Sequence, residues 1–224
     1  MDKSLFPTCA TCPFKRNDRL CVKAGGKHPP NCPTAMQQKL GEEALACYQD
    51  EQVLRMARES AIVEYNCYTT LPDGTRIPCH PRILEIMEYA KAMGYKRLGL
   101  LFCIGLREDA KTVAEIFAAH GFEVVSVICK VGNVSKAALG LEAEHLHNPA
   151  KPETMCNPVL QAKLMNDAEV DLNVLLGLCV AHDTLVMRYL DAPTTVLAVK
   201  DRMLGNNPLA ALHSSYSNYL KKPV

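Results

Sequence analysis

From residue 81 onward the chain alternates short apolar runs with amphipathic stretches, and this limits its fold more than any other feature. Four runs read as strands, at 97–102, 123–128, 171–178 and 194–199. Helical spacing fills the intervals. Residues 107–120 end at Gly121, Asn157-Pro158 supplies an N-cap and first-turn proline for a helix reaching about 166, and 181–189 follows the third run. A further helix precedes the first strand, with Ile83, Ile86, Met87, Ala90 and Met93 on one face and Gly94 as its stop. Strands joined by helices pair in parallel, because such a crossover returns the chain to the same end of the sheet. The expected fold class is therefore α/β, an open, mainly parallel, Rossmann-like sheet with helices on both faces.

Upstream the pattern changes. Residues 34–65 are helical in composition, with Val53, Met56, Ala57, Ser60, Ile62 and Val63 near helical spacing. Leu71-Pro72-Asp73-Gly74-Thr75 marks a turn. Residues 130–155 read as a loop with a short helix, and Asn207-Pro208 opens a last helix. Residues 1–33 are rich in cysteine and proline and have almost no apolar periodicity, so their cysteines must organise them. The expected division is a cysteine-rich metal-binding segment, 1–33, before an α/β domain, 34–224.

Composition removes several classes of function. Among 224 residues, 25 basic side chains face 24 acidic ones, no tryptophan occurs and aromatics are 6%. Neither a nucleic-acid footprint nor a base-stacking platform is present, so no nucleic-acid partner is expected. No apolar run reaches the ~18 residues of a membrane span, so no membrane partner is expected either. Met1 to Pro7 contain no continuous apolar stretch, which points to a reducing, cytoplasmic setting. There, 11 cysteines, an odd number, are poorly explained by disulfides. Metal ligation or thiol chemistry is the better default.

Cys9, Cys12, Cys21 and Cys32 form a Cys-x2-Cys-x8-Cys-x10-Cys-Pro pattern. Two thiolates two residues apart grip one metal centre while the intervening amides turn towards it, and two more complete four ligands. Zinc usually takes two Cys-x2-Cys pairs and only one is present, so an iron–sulfur centre is favoured over zinc.

The second constellation lies at strand ends. Cys103, Cys129 and Cys179 each follow one of the first three strands, and Cys156 precedes the Asn157-Pro158 helix start. Open α/β sheets bind ligands beyond the carboxyl ends of their strands, and neighbouring strands are only ~4.8 Å apart. Three or four sulfurs can therefore converge on a cluster, whereas a single such cysteine would read as a small buried hydrophobe. His182, Asp183, Lys200 and Arg202 follow the same edge as candidate proton or hydrogen-bond donors. Asp183 equally suits a helix-dipole acid, and Lys200 and Arg202 a solvated rim.

Other motifs are weaker. Gly25-Gly26-Lys27 lacks the context of a phosphate loop, no Gly-x-Gly-x-x-Gly follows the first strand, and the Asn133-Val134-Ser135 sequon is meaningless without secretion. Glu144-His145-Leu146-His147 reads as solvated surface rather than a metal site, and Cys47, Cys67 and Cys79 have no clear partners.

On these residues the chain resembles an uncharacterised bacterial and archaeal family, a domain of unknown function described as cysteine-rich, presumptive metal-binding proteins. The matching stretches are Cys9-Ala10-Thr11-Cys12, Leu101-Phe102-Cys103-Ile104-Gly105, Ile128-Cys129-Lys130-Val131-Gly132, Cys156-Asn157-Pro158, Gly177-Leu178-Cys179-Val180-Ala181-His182-Asp183, and Lys200-Asp201-Arg202 with Asn207-Pro208-Leu209-Ala210-Ala211-Leu212. The resemblance implies metal binding and no established reaction. The expected cofactor is iron–sulfur, of the 4Fe–4S kind, with zinc as the alternative. The expected partner is a redox protein or a small-molecule substrate, and whether the chain turns over a substrate stays open, as does its oligomeric state.

Overall fold

The computed structural model describes residues 6–213 and 216–222 of the chain. Residues 1–5, on which most of the reading of a cytoplasmic start rests, lie outside the described residues. The chain divides into two compact units, Met1–Ala61 and Ile62–Val224, and the cysteine-rich segment lies within the first.

In the first unit no described residue is buried. Two single-turn 3-10 helices, Cys9–Thr11 and Arg16–Asp18, precede α1 (Pro33–Met36) and α2 (Gln38–Ala46). Polar contacts order the loops. Arg19 Nε donates to the Phe14 carbonyl at 2.8 Å, and Asn31 Nδ2 donates to the Phe6 carbonyl at 2.8 Å and to Thr8 Oγ1 at 2.9 Å. Gly26 packs so closely on Arg19 that a Cβ there would stand 2.6 Å from the Arg19 carbonyl carbon. The Gly25-Gly26 pair thus serves a turn.

Helix α3 (Glu51–Asn66) leads to a hairpin of β1 (Tyr68–Thr70) and β2 (Arg76–Pro78). Its turn is the expected one: Asp73 Oδ1 accepts the Thr75 N–H at 2.9 Å, and Gly74 takes φ 84°. After α4 (Arg82–Met93), capped by left-handed Gly94, the expected alternation runs its course. It comprises β3 (Arg97–Phe102), α5 (Arg107–Ala119), β4 (Glu123–Ile128), α6 (Pro158–Asp167), β5 (Leu172–Leu178), α7 (His182–Tyr189) and β6 (Thr194–Val199). Asn157 caps α6 through its side chain, accepting the Leu160 N–H at 3.0 Å. Residues 130–155 carry only 3-10 turns at Lys136–Leu139 and Ala143–His145. The last helical stretch begins at Ala210 rather than at Pro208, in two short pieces, α8 (Ala210–His213) and α9 (Tyr216–Leu220).

All pairings in the main sheet are parallel, in the order β4-β3-β5-β6. Side chains alternate across it. Leu98, Leu100, Leu172, Val174 and Leu176 pack with α4 and α5, while Leu101 and Leu175 pack with α6 and α7 on the other face. The connection out of β3 goes to β4 on one side, and that out of β5 goes to β6 on the other. The switch point therefore lies between the carboxyl ends of β3 and β5. Gly177 (φ 63°) sits where the β5–β6 register slips, a bulge that turns Leu178 onto the face of α6 and α7 and re-aims the chain entering Cys179.

Candidate functional site

The amino-terminal cysteines share one small cavity. Cys9, Cys12, Cys21 and Cys32 line a space of about 60 Å³ together with Thr8, Arg19 and Asn31, and all four thiols are free. Arg19 Nη2 also reaches the Cys12 carbonyl at 3.4 Å, tying the Cys-x2-Cys turn to the chain just before the turn that carries Cys21.

At the carboxyl edge of the sheet the backbone ladder continues past the strands and sets the second quartet. Cys103 N–H donates to the Leu176 carbonyl at 3.2 Å, Cys129 N–H to Phe102 at 2.9 Å, and Asn157 N–H to Cys129 at 2.8 Å. The Cys179 carbonyl accepts the N–H groups of His182 at 2.9 Å and Asp183 at 3.1 Å, closing the first turn of α7. As a result Cys103, Cys129, Cys156 and Cys179 all line one cleft of about 990 Å³. The 130–155 segment contributes Leu139, Leu141 and His147 to its lining. No three His, Cys, Asp or Glu side chains among the described residues close on a point that would hold a single ion.

The sulfurs differ in surroundings. Cys129 is 3% exposed and its Sγ accepts the Ile104 N–H at 3.3 Å. Burial pushes its thiol up to about 12, the Ile104 N–H opposing and the neighbouring Cys156 and Cys103 adding to the rise. Cys156 Sγ stands 3.8 Å from Cys129 Sγ, far beyond a disulfide's ~2.05 Å. Cys179 has a cationic partner instead: Arg202 Nη2 lies 2.9 Å from its Sγ. A guanidinium N–H is the donor an anionic sulfur accepts best.

Three of the four polar candidates, His182, Lys200 and Arg202, line the cleft. Burial first, then the positive charges of Lys130 and Arg202, hold the His182 imidazolium below its usual range, with Asp183 opposing. Asp183 itself is not among the lining residues. Its Oδ1 accepts the Thr184 N–H at 2.7 Å, so it serves the start of α7. His145 stays at the surface beside Glu144, whereas His147 is among the residues lining the cleft, its ring 3.9 Å from Glu153.

Sequence reasoning missed Gln161. Fully buried on α6, it donates through Nε2 to the carbonyls of Val127 at 2.8 Å and Phe102 at 3.4 Å, bracing the strand ends that carry Cys129 and Cys103. It also missed Lys130, whose Nζ donates to the Thr154 carbonyl. Cys67 and Cys79 prove to be opposite one another beyond the hairpin's last pair, with Cys79 N–H donating to the Cys67 carbonyl at 2.8 Å. Burial, with the Glu85 and Glu88 carboxylates nearby, pushes the Cys67 thiol up to about 11. The signal was available in the hairpin turn, which sets the register.

Fold and site together define a cysteine-rich α/β protein with an open parallel sheet and a thiol-lined cleft at its switch point. The chain belongs to the family described as "Protein of unknown function (DUF1847)", whose model matches residues 32–197. It is 39% identical over 214 residues to an uncharacterized protein of Methanocaldococcus jannaschii, a match covering 96% of each chain. No helix among the described residues is long and apolar enough to cross a membrane.

Proposed function

We propose that this is a cytoplasmic iron–sulfur protein with one four-cysteine centre in the amino-terminal unit and a second at the carboxyl edge of the sheet. It acts in electron transfer or sulfur-linked redox catalysis, with a redox partner or a small-molecule substrate. The observation that carries this reading is the sorting of eight free cysteines into two quartets, each lining one cavity.

The donor sets fit the group. An iron–sulfur cluster needs thiolates spread around a cage, one to each ligated iron, rather than closed on a point. Cys9, Cys12, Cys21 and Cys32 would hold the first centre, and Cys103, Cys129, Cys156 and Cys179 the second. Bound there, such a cluster supplies one-electron chemistry at a potential set by its surroundings. The chain's own residues supply those surroundings. The Ile104 N–H and the Arg202 guanidinium donate to the sulfurs of Cys129 and Cys179, which favours added negative charge. A cleft of about 990 Å³ leaves room for a substrate beside the second quartet, whereas about 60 Å³ at the first suits a structural or electron-relaying role.

One observation favours a second reading, a zinc-stabilised binding module without turnover. Two sulfurs on one tetrahedral zinc, at Zn–S of ~2.3 Å, stand ~3.8 Å apart, the spacing of Cys129 and Cys156.

Three variants test the assignment. Cys12→Ser should remove one metal centre and expose residues 1–33 to protease while the α/β domain survives. Cys179→Ala should remove the other, and His182→Ala should retain it with a shifted potential. Full metal content in both cysteine variants would overturn the reading.

A further inference from the structure

The cleft at the carboxyl edge carries a charge that the chain as a whole does not. The full sequence sums to +1. The cleft, however, is lined by Lys130, Lys136, Lys200 and Arg202 against a single acid, Glu153. That acid is already neutralised, its Oε1 lying 2.6 Å from Lys136 Nζ. Among the described residues, Lys130, Lys200 and Arg202 form no ion pair. Among those residues, Lys130 and Lys200 have no carboxylate partner and Arg202 has only the Cys179 sulfur, at 2.9 Å, and cations gathered in this way around one concavity favour an anion between them.

Their placement is specific. Lys200 directly follows β6, and its backbone N–H donates to the Leu178 carbonyl at 3.1 Å. Its Nζ lies 3.7 Å from where a Cβ would stand at Gly105, after β3, and 3.7 Å from the same position at Gly177, near the end of β5. These two distances place the ammonium near both strand ends, over the crevice between β3 and β5 where the sheet changes direction. Arg202, Lys130 and His182 line the same space. Leu139 and Leu141 add an apolar part to the lining. At about 990 Å³ the cleft exceeds what an inorganic ion fills and matches the upper range of metabolite sites, ~300–1,000 Å³.

We propose that this cleft binds a small organic anion, its oxyanion head held by Lys200, Arg202 and Lys130 and its apolar portion lying along Leu139 and Leu141. The proposal deepens the reading of the second centre by naming what its cleft takes, but it requires no metal to be bound.

The test is calorimetric titration of the full chain with inorganic phosphate, hexyl phosphate and hexanoate, with metal content measured on the same sample. One of the hexyl compounds should bind at one site per chain, about tenfold or more tighter than inorganic phosphate. The preferred compound identifies the head as phosphate or carboxylate. Lys200→Met should weaken that binding about tenfold or more and Lys200→Arg should largely restore it. Lys111→Met, an exposed lysine on α5, should leave it unchanged. Absence of binding to all three compounds at about 10 mM, or equal binding by wild type and Lys200→Met, would overturn the proposal. Tight, Lys200-dependent binding by a metal-free sample would defeat the iron–sulfur reading and leave the anion site standing. Full metal without binding would do the reverse.

Discussion

The sulfurs of Cys129 and Cys156 stand 3.8 Å apart although 27 residues separate them in the chain. One thiol is fixed by the end of β4 and the other by the residue before the Asn157 cap of α6, and the Asn157 N–H to Cys129 carbonyl bond joins the two positions. A loop that wanders through residues 130–155 is thus returned to its starting point.

Reactivity should separate the cysteines sharply. With Cys129 pushed up to about 12 and Cys67 to about 11, both remain protonated thiols at pH 8. Iodoacetamide reacts with the thiolate, so in metal-free protein both should be alkylated about 100-fold or more slowly than exposed Cys9 and Cys21. Time-resolved peptide mass spectrometry checks this, and equal rates would show that neither site is desolvated.

Gln161 should be worth more than its silent place in the helix pattern suggests. Gln161→Leu leaves the Val127 and Phe102 carbonyls without their side-chain donor at the strand ends. The expected loss is about 1–3 kcal/mol of unfolding free energy, read from urea denaturation. A variant as stable as wild type would mean that the carbonyls are satisfied otherwise.

Acid should loosen the 130–155 segment that lines the cleft. The Lys136 ammonium, the His147 N–H and their charges hold the Glu153 carboxyl below the usual carboxylate range, against a smaller opposing effect of burial. A carboxylate whose folded value is depressed contributes stability above the ordinary range, and that contribution is lost as pH falls through the folded value. Hydrogen exchange across 134–155 should therefore accelerate below about pH 4, and Glu153→Gln should remove that dependence. An identical pH response in the variant would assign the loosening to other groups.

Much of the fold was legible because three of the four strands of the main sheet begin and end where their apolar runs do, and Asn157-Pro158 and Gly94 mark helix ends by local chemistry that tertiary packing did not override. The strand-end position of Cys103, Cys129 and Cys179 was likewise readable, since position after a strand fixes which edge a residue occupies. What sequence did not disclose depends on contacts between distant residues. The strand order that makes β3 and β5 neighbours, the 2.9 Å approach of Arg202 to Cys179 and the bracing by Gln161 have no local signature. Asp183 illustrates the converse. Its place in a first helical turn was visible, but only the geometry shows its carboxylate turned to Thr184 rather than lining the cleft. The cationic character of the cleft was hidden for a simple reason: a near-neutral total of 25 against 24 conceals a local excess.

The central claim is that two quartets of thiols hold iron–sulfur clusters. The most direct measurement is iron and acid-labile sulfide per chain in anaerobically purified protein, alongside its visible spectrum. Two 4Fe–4S centres require about eight iron and about eight sulfide per chain, with a brown colour and broad visible absorption. A colourless protein carrying zinc, or no metal at all, would contradict the account.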